Sequence, residues 1–319
     1  MDSTLQPEHK PLGRDKFIDD RVTATGARRA SVDFRRLATL WFNTGTLCNL
    51  TCDNCYIESS PRNDRLSYLT ASEVRTYLDE IADGELATDE IGFTGGEPFM
   101  NPDLIGMMGE ALARGFDVLV LTNAMRPMMK CADDLCDLNR RFGARLKIRV
   151  SLDHYGKKLH EVERGAHSWG PTLDGLEWLA ANGFAINVAG RSRWGEAEAQ
   201  LRRGYADLFA EHAIPVDAED PVALVLFPEM DAGLDVPEIT EQCWDILGVA
   251  PASVMCATSR MVIKRKGAAH PVVVSCTLIP YGKGFEMGAT LSEAQRPVAL
   301  NHPHCARFCI LGGGSCSAA

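Results

Sequence analysis

Six short apolar runs alternate with amphipathic stretches over residues 37–227, and no other feature of the chain restricts its fold as tightly. The runs are 37–42, 90–93, 117–121, 146–152, 184–189 and 222–227. They are mostly apolar on both faces, as strands covered on both sides by helices are. Five helices are predicted between them. The first opens at Thr70 with Glu73 completing a capping box, and Val74, Tyr77, Leu78 and Ile81 follow at helical spacing. The second starts after Asn101-Pro102 and carries Leu104, Ile105, Met108 and Leu112 on one face. The others cover roughly 127–142, 172–182 and 195–212. Strand–helix alternation of this kind predicts a parallel sheet with helices outside. Six strands are too few for a closed eight-fold barrel. The expected fold class is therefore α/β, a partial (β/α)6 TIM-type barrel.

The texture changes on either side of this block. Residues 1–36 lack a sustained period and hold Lys10, Arg14, Lys16, Arg21, Arg28, Arg29, Arg35 and Arg36, which reads as a solvated basic arm. Residues 228–252, with Pro228, Pro237 and Pro251, read as a linker with one short helix near 241–247. Residues 260–264 and 271–276 read as a β-hairpin turning at Lys266-Gly267. The expected organisation is an arm (1–36), a barrel (37–227), a linker (228–252) and a small Cys-rich domain (253–319).

Charge and cysteine content narrow the function. The 33 Lys+Arg against 43 Asp+Glu give a net charge of −10, which removes the simple electrostatic argument for nucleic acid. No apolar run reaches the roughly 18 residues of a membrane span, and the polar N-terminus lacks a signal-peptide core. A cytoplasmic location is expected. In a reducing compartment the eleven cysteines call for metal, catalysis or burial rather than disulfides. Cys48, Cys52 and Cys55 follow the first strand, and Cys256, Cys276, Cys305, Cys309 and Cys316 crowd the C-terminal region; Cys131, Cys136 and Cys243 read as buried thiols.

Three thiolates at C-x3-C-x2-C spacing can bind three corners of a cubane iron–sulfur cluster and leave one iron open to a chelating small molecule. Structural zinc sites take four ligands, and no fourth Cys or His lies in the neighbouring loop. The triad, with Tyr56 after it, resembles the signature of the radical S-adenosylmethionine (radical SAM) superfamily. Gly95-Gly96-Glu97-Pro98 after the second strand resembles that superfamily's GGEP motif. The resemblance covers roughly 37–227. It implies a 4Fe–4S cluster on Cys48, Cys52 and Cys55, and S-adenosylmethionine (SAM) chelated to the open iron. Reductive cleavage of SAM to a 5′-deoxyadenosyl radical and hydrogen abstraction from a substrate would follow. An aromatic residue often precedes the third cysteine in this superfamily. Here it is Asn54, so adenine stacking would come from elsewhere, with Tyr56 a candidate.

The resemblance also places SAM contacts. Gly95 and Gly96 let backbone approach a ligand, and Glu97 offers a carboxylate to the methionyl amine. Thr122 and Asn123 end the third strand. Ser151 and Asp153 end the fourth and share a face. Arg191 and Arg193 follow the fifth and could hold the SAM carboxylate. Asp153 is also the candidate acid/base group, with Tyr281, Glu286, His302 and His304 as rivals.

The hairpin and Cys-rich tail resemble the shortened SPASM domain called Twitch, which implies one auxiliary 4Fe–4S cluster. Cys256, Cys276, Cys309 and Cys316 are the favoured ligands and Cys305 the rival; a zinc site helped by His302 and His304 is the alternative. The substrate is expected to be a small molecule or a peptide. The short segment before the first strand leaves no room for a fused peptide-recognition domain, so a peptide maturase of this kind would need a separate recognition protein. An external donor such as flavodoxin or ferredoxin would supply electrons. A radical SAM methyltransferase-like enzyme and a non-catalytic iron–sulfur scaffold remain the readings from other classes.

Overall fold

The computed structural model describes residues 10–314 of the chain. Strand β1 (Ser31–Val32) lies outside the barrel. The six barrel strands are β2 (Thr39–Asn43), β3 (Glu90–Thr94), β4 (Asp117–Thr122), β5 (Leu146–Ser151), β6 (Ala185–Arg191) and β7 (Leu224–Phe227). They pair in sequence order and all parallel. Helix α1 (Ala71–Asp83) begins with the expected reciprocal Thr70/Glu73 capping box and buries Val74, Tyr77, Leu78 and Ile81. Helix α2 (Leu104–Ala113) follows β3. The stretch expected as one helix over 127–142 is two, α3 (Arg126–Met129) and α4 (Ala132–Phe142), broken at Cys131. Helix α5 (Lys157–Arg164) was not expected; α6 (Trp169–Ala181) and α7 (Glu198–Glu211) were. Among the described residues β7 pairs only with β6, which leaves the barrel open along that flank.

The C-terminal part continues this sheet. After α8 (Cys243–Leu247), β8 (Ser259–Ile263) pairs parallel with β2. It then forms an antiparallel hairpin with β9 (Val272–Val274), which pairs with β10 (Glu286–Gly288). One nine-stranded sheet runs β10-β9-β8-β2-β3-β4-β5-β6-β7. The hairpin is thus anchored by backbone hydrogen bonds to the strand that delivers the first cysteines.

The arm and linker readings need correction. Strand β1 pairs antiparallel with β11 (Val298–Ala299). Arg29 is buried with its guanidinium 2.5 Å from Glu238, and Lys16 pairs with Asp235 at 2.7 Å. Val236 and Ile239 are buried alongside, and Ala30 N–H donates to Ile239 O. Residues 10–36 are therefore held by 234–241 and 298–300. Two segments without regular periods satisfy each other's polar groups, which no single-segment period reveals.

Candidate active site

Parallel strands deliver the residues after their C-terminal ends to one face of a barrel. Here that face holds a cleft. Cys48, Cys52, Cys55, Tyr56, Gly95, Gly96, Thr122, Asn123, Ser151, Asp153 and Arg191 all line it, so one site gathers most of the residues singled out in the sequence. Cys48 is buried and the other two thiols are partly exposed. Burial pushes the Cys48 thiol up to about 12 and raises Cys52 as well. Backbone N–H groups already point at the sulfurs, from Leu50 to Cys48 and from Ser59 to Cys55, both at 3.4 Å. Such donors stabilise thiolate and favour iron binding.

The two glycines act on the cysteine loop first. Gly95 has φ +150°, and a Cβ there would stand 2.5 Å from Gly45 O. A Cβ on Gly96 would overlap Leu47 O. Gly96 N–H donates to Gly45 O at 2.8 Å and Glu97 N–H to Leu47 O at 3.1 Å. The turn after β3 is laid against the backbone that leads into Cys48, which only residues without a side chain allow.

Glu97 makes protein contacts that its motif does not indicate. Its carboxylate is buried and accepts from Thr122 Oγ1 at 2.8 Å, Asn123 N at 2.9 Å and Phe99 N at 3.2 Å. Burial raises its pKa against the pull of those donors. The carboxylate fastens the end of β4 to the turn, and it is absent from the cleft lining. Pro98 opens the short 3-10 turn Pro98–Met100 and is likewise absent from the lining.

Beneath Cys52 lies a charge network that the sequence did not reveal. Asp153 is buried between Arg164, whose Nε stands 2.5 Å from Oδ2, and Arg191, whose Nε stands 3.2 Å from Oδ1. Burial alone would raise the Asp153 carboxyl, but the two guanidiniums hold it below the usual carboxylate range. Burial works against the charge of Arg164, yet Asp153 and the Cys52 sulfur keep its pKa above the ordinary value. Both Arg164 and the neighbouring Glu163 come from the end of α5. Glu163 accepts from Asp53 N through its backbone at 2.8 Å and from Asn54 N through Oε1 at 3.1 Å. Asn54, the departure from the aromatic pattern, also bonds Glu229 through its side chain and accepts from Arg191 Nη2 at 3.2 Å. The second half of the cysteine loop is therefore held by α5 and β6. Arg193 serves the same network: it pairs with Glu163, Asp53 and Glu229 and does not line the cleft.

The residues fit the expected groups. Three thiols face one cleft, and Arg191 Nη1 is buried on its wall with no hydrogen-bond partner among the described residues, which suits a ligand carboxylate. Among the described residues no three Cys, His, Asp or Glu side chains converge as ligands of a single metal ion.

A second, mostly apolar pocket is lined by Cys256, Cys276, Cys305, Cys309 and His304. Burial pushes Cys256 up to about 11 and Cys305 up to about 12. Leu278 N–H donates to the Cys276 sulfur at 3.3 Å. Cys305, expected as a rival ligand, stands with the other three; Cys316 lies outside the described residues. Leu278 lines both this pocket and the cleft. Of the rival acid/base groups, Tyr281 donates to Ile57 O at 2.8 Å and Glu286 pairs with Arg265. His304 belongs to the second pocket and its ring lies 4.6 Å from that of His302. None of these four lines the cleft.

An open parallel barrel with three cysteines and a glycine turn at its strand ends defines a class. Residues 42–191 match the model of the Radical SAM superfamily, and the chain carries a domain of that superfamily. Among curated proteins it is similar to the antilisterial bacteriocin subtilosin biosynthesis protein AlbA of Bacillus subtilis (strain 168), 29% identical over 44% of this chain and 30% of AlbA. It is also similar to the mycofactocin maturase MftC of Mycobacterium ulcerans (strain Agy99), 30% identical over 43% of this chain and 35% of MftC. The matches thus span about a third of those relatives' length. Among solved structures, SuiB of Streptococcus suis bound to S-adenosylmethionine superposes with a TM-score of 0.58 at 12% identity, over 80% of this chain and 63% of SuiB. Native anSMEcpe with bound AdoMet superposes at 0.57 and 13% identity, over 81% of this chain and 80% of that one. These two likenesses bear out the partial-barrel fold. No described helix is long and apolar enough to cross a membrane.

Proposed function

We propose that the chain is a radical SAM enzyme that abstracts hydrogen from a peptide or small molecule, with one auxiliary iron–sulfur cluster. The observation that carries this reading is the convergence of Cys48, Cys52 and Cys55 with Asp153 and Arg191 on one cleft at the strand ends. Cys48, Cys52 and Cys55 would hold a 4Fe–4S cluster; with SAM bound beside it, the pair supplies a 5′-deoxyadenosyl radical after one-electron reduction. The chain's own residues do the rest. Gly95 and Gly96 let the turn after β3 pack on the backbone leading into Cys48 and so bring main chain to the cleft wall. Arg191 offers its free Nη1 to the ligand carboxylate. Thr122, Asn123, Ser151 and Asp153 line the remaining polar wall, and Tyr56 offers an aromatic face. Arg164 places positive charge beside Cys48 and Cys52, which favours their thiolates. Phe227, Met230 and Leu278 close the apolar side and exclude water.

Cys256, Cys276, Cys305 and Cys309 would hold the auxiliary cluster. The names of AlbA and MftC, and the structure of SuiB bound to precursor peptide SuiA, support a peptide substrate. The similarity to a GTP 3′,8-cyclase keeps a small molecule in view. A soluble donor of the flavodoxin or ferredoxin kind would supply the electron. The test is an anaerobic assay of reconstituted protein with SAM and dithionite, quantifying 5′-deoxyadenosine and S-adenosylhomocysteine. Deoxyadenosine that disappears with Cys52→Ala is expected. S-adenosylhomocysteine as the main product would favour methyl transfer; no product from iron-loaded protein, with peptide and small-molecule candidates present, would favour a scaffold.

A further inference from the structure

We propose that Arg260 is a built-in counter-charge for an anionic iron–sulfur centre on Cys256, Cys276, Cys305 and Cys309, and that it sets the reduction potential of that centre; this rests on the auxiliary-cluster reading above. Arg260 is the second residue of β8 and is 1% exposed. Its Nε donates to Ala294 O at 2.8 Å, Nη1 to Cys256 O at 2.6 Å and Ser259 O at 2.7 Å, and Nη2 to Arg296 O at 3.0 Å. The guanidinium also lies over the Phe34 ring, 4.6 Å from its centroid. Every one of these partners is formally neutral. Arg29, Arg191 and Arg202 differ: Arg29 pairs with Glu238, Arg191 with Asp153, and Arg202 with Glu198. Among the described residues no carboxylate pairs with Arg260.

A buried cation without an anion is costly, and neutral carbonyls compensate only in part. The nearby groups able to become negative are the thiols of Cys276 and of Cys256, whose carbonyl accepts from Arg260 Nη1 at 2.6 Å. As neutral thiols they leave the guanidinium uncompensated. As ligands of a cubane they carry the missing charge, because four thiolates leave the centre anionic. The cage of carbonyls holds the guanidinium in place beside Cys256, whose own carbonyl is one of its acceptors. One-electron reduction makes the centre more negative, so a fixed cation beside it favours the reduced state and raises the potential.

The test uses the full chain with Cys48, Cys52 and Cys55 replaced by Ala, so that only the C-terminal set loads. Reconstitution should give about four irons per chain. A potential-controlled titration followed by electron paramagnetic resonance then gives the midpoint of that centre. Arg260→Gln should lower the midpoint, and Arg260→Lys, which keeps the charge, should leave it near the parent value. A loaded Arg260→Gln variant with the parent's midpoint overturns the proposal. Should Arg260→Gln fail to fold, Arg260→Lys decides: a parent-like midpoint supports the counter-charge and a lowered one overturns it. A parent that takes up no iron removes the cluster reading and this proposal together. Iron with an unmoved potential removes only the proposal.

Discussion

Arg164 Nε stands 2.5 Å from Asp153 Oδ2, the carboxylate buried and the guanidinium largely covered beneath the cysteine loop. Arg191 approaches the same carboxylate from β6 at 3.2 Å, so one anion holds two cations apart. Asp153→Asn would strip Arg164 of its carboxylate and leave Arg191 only Glu163, at 3.5 Å, and should cost about 3–5 kcal/mol, read by denaturant unfolding of the apo protein. Arg164→Gln should also destabilise, and the double variant should cost less than the sum. The folded-state pKa of Asp153 is depressed, so its contribution is present above the unfolded value and is lost as pH falls through the folded one. Asp153→Asn should erase that part of the acid-side slope. Additive losses in the double variant would contradict the coupling.

Gly96 is a packing requirement as much as a ligand-approach requirement, because a Cβ there overlaps Leu47 O. Gly96→Ala should cost about 1–3 kcal/mol as overpacking does, and it should displace the loop that carries Cys48. Iron uptake at the first site should fall with it. Gly106, inside α2 with open space around its Cβ position, is the control. Gly106→Ala should be neutral or stabilise by up to about 1 kcal/mol. Equal thermal stability and equal iron uptake in the two variants would remove the packing argument.

The barrel strands were legible because each is a continuous apolar run, and α1 because its capping box and its helical spacing agree. Helix α5 was invisible for a physical reason. Its buried residues are His160 and Glu163, while Val162 faces solvent, so hydrophobic periodicity points the wrong way. Yet α5 supplies Arg164 and Glu163, which hold the second half of the cysteine loop. The motif residues on the cleft could be read from spacing, but the hydrogen bonds of Glu97 could not. A carboxylate beside two glycines looks the same in sequence whether or not it also accepts from Thr122 and Asn123, as Glu97 does. The hairpin was legible as a hairpin; that β8 extends the barrel sheet depends on a partner strand more than 200 residues away, which no local pattern encodes.

His160 is fully buried against the edge of Trp169, ring centroids 5.4 Å apart, and neither ring nitrogen has a hydrogen-bond partner among the described residues. Burial lowers its pKa to about 4, with Arg164 adding to the shift. The folded protein therefore binds fewer protons here than the unfolded chain. The imidazole's contribution is complete above the unfolded value of about 6.5 and is lost as pH falls toward 4, a total on the order of 3 kcal/mol. The apo protein should lose stability across this window. His160→Phe should flatten the loss relative to wild type, as measured by unfolding at a series of pH values. Parallel pH profiles for the two proteins would show that His160 does not titrate in this window.

Leu278 is 2% exposed and lines both the cleft and the second cysteine pocket, with its own N–H on the Cys276 sulfur. One side chain thus contributes to the walls of two sites proposed to hold oxygen-sensitive clusters. Leu278→Ala should cost about 2–5 kcal/mol through the cavity it leaves. Leu278→Met, which conserves volume, should cost less than about 1.5 kcal/mol. The backbone N–H donor survives in both, so the sulfur keeps its partner and only the wall changes. Iron release in air from the C-terminal set should therefore be faster in Leu278→Ala than in wild type and close to wild type in Leu278→Met. Equal release rates in all three proteins would mean that Leu278 is not what separates the two pockets from each other and from solvent.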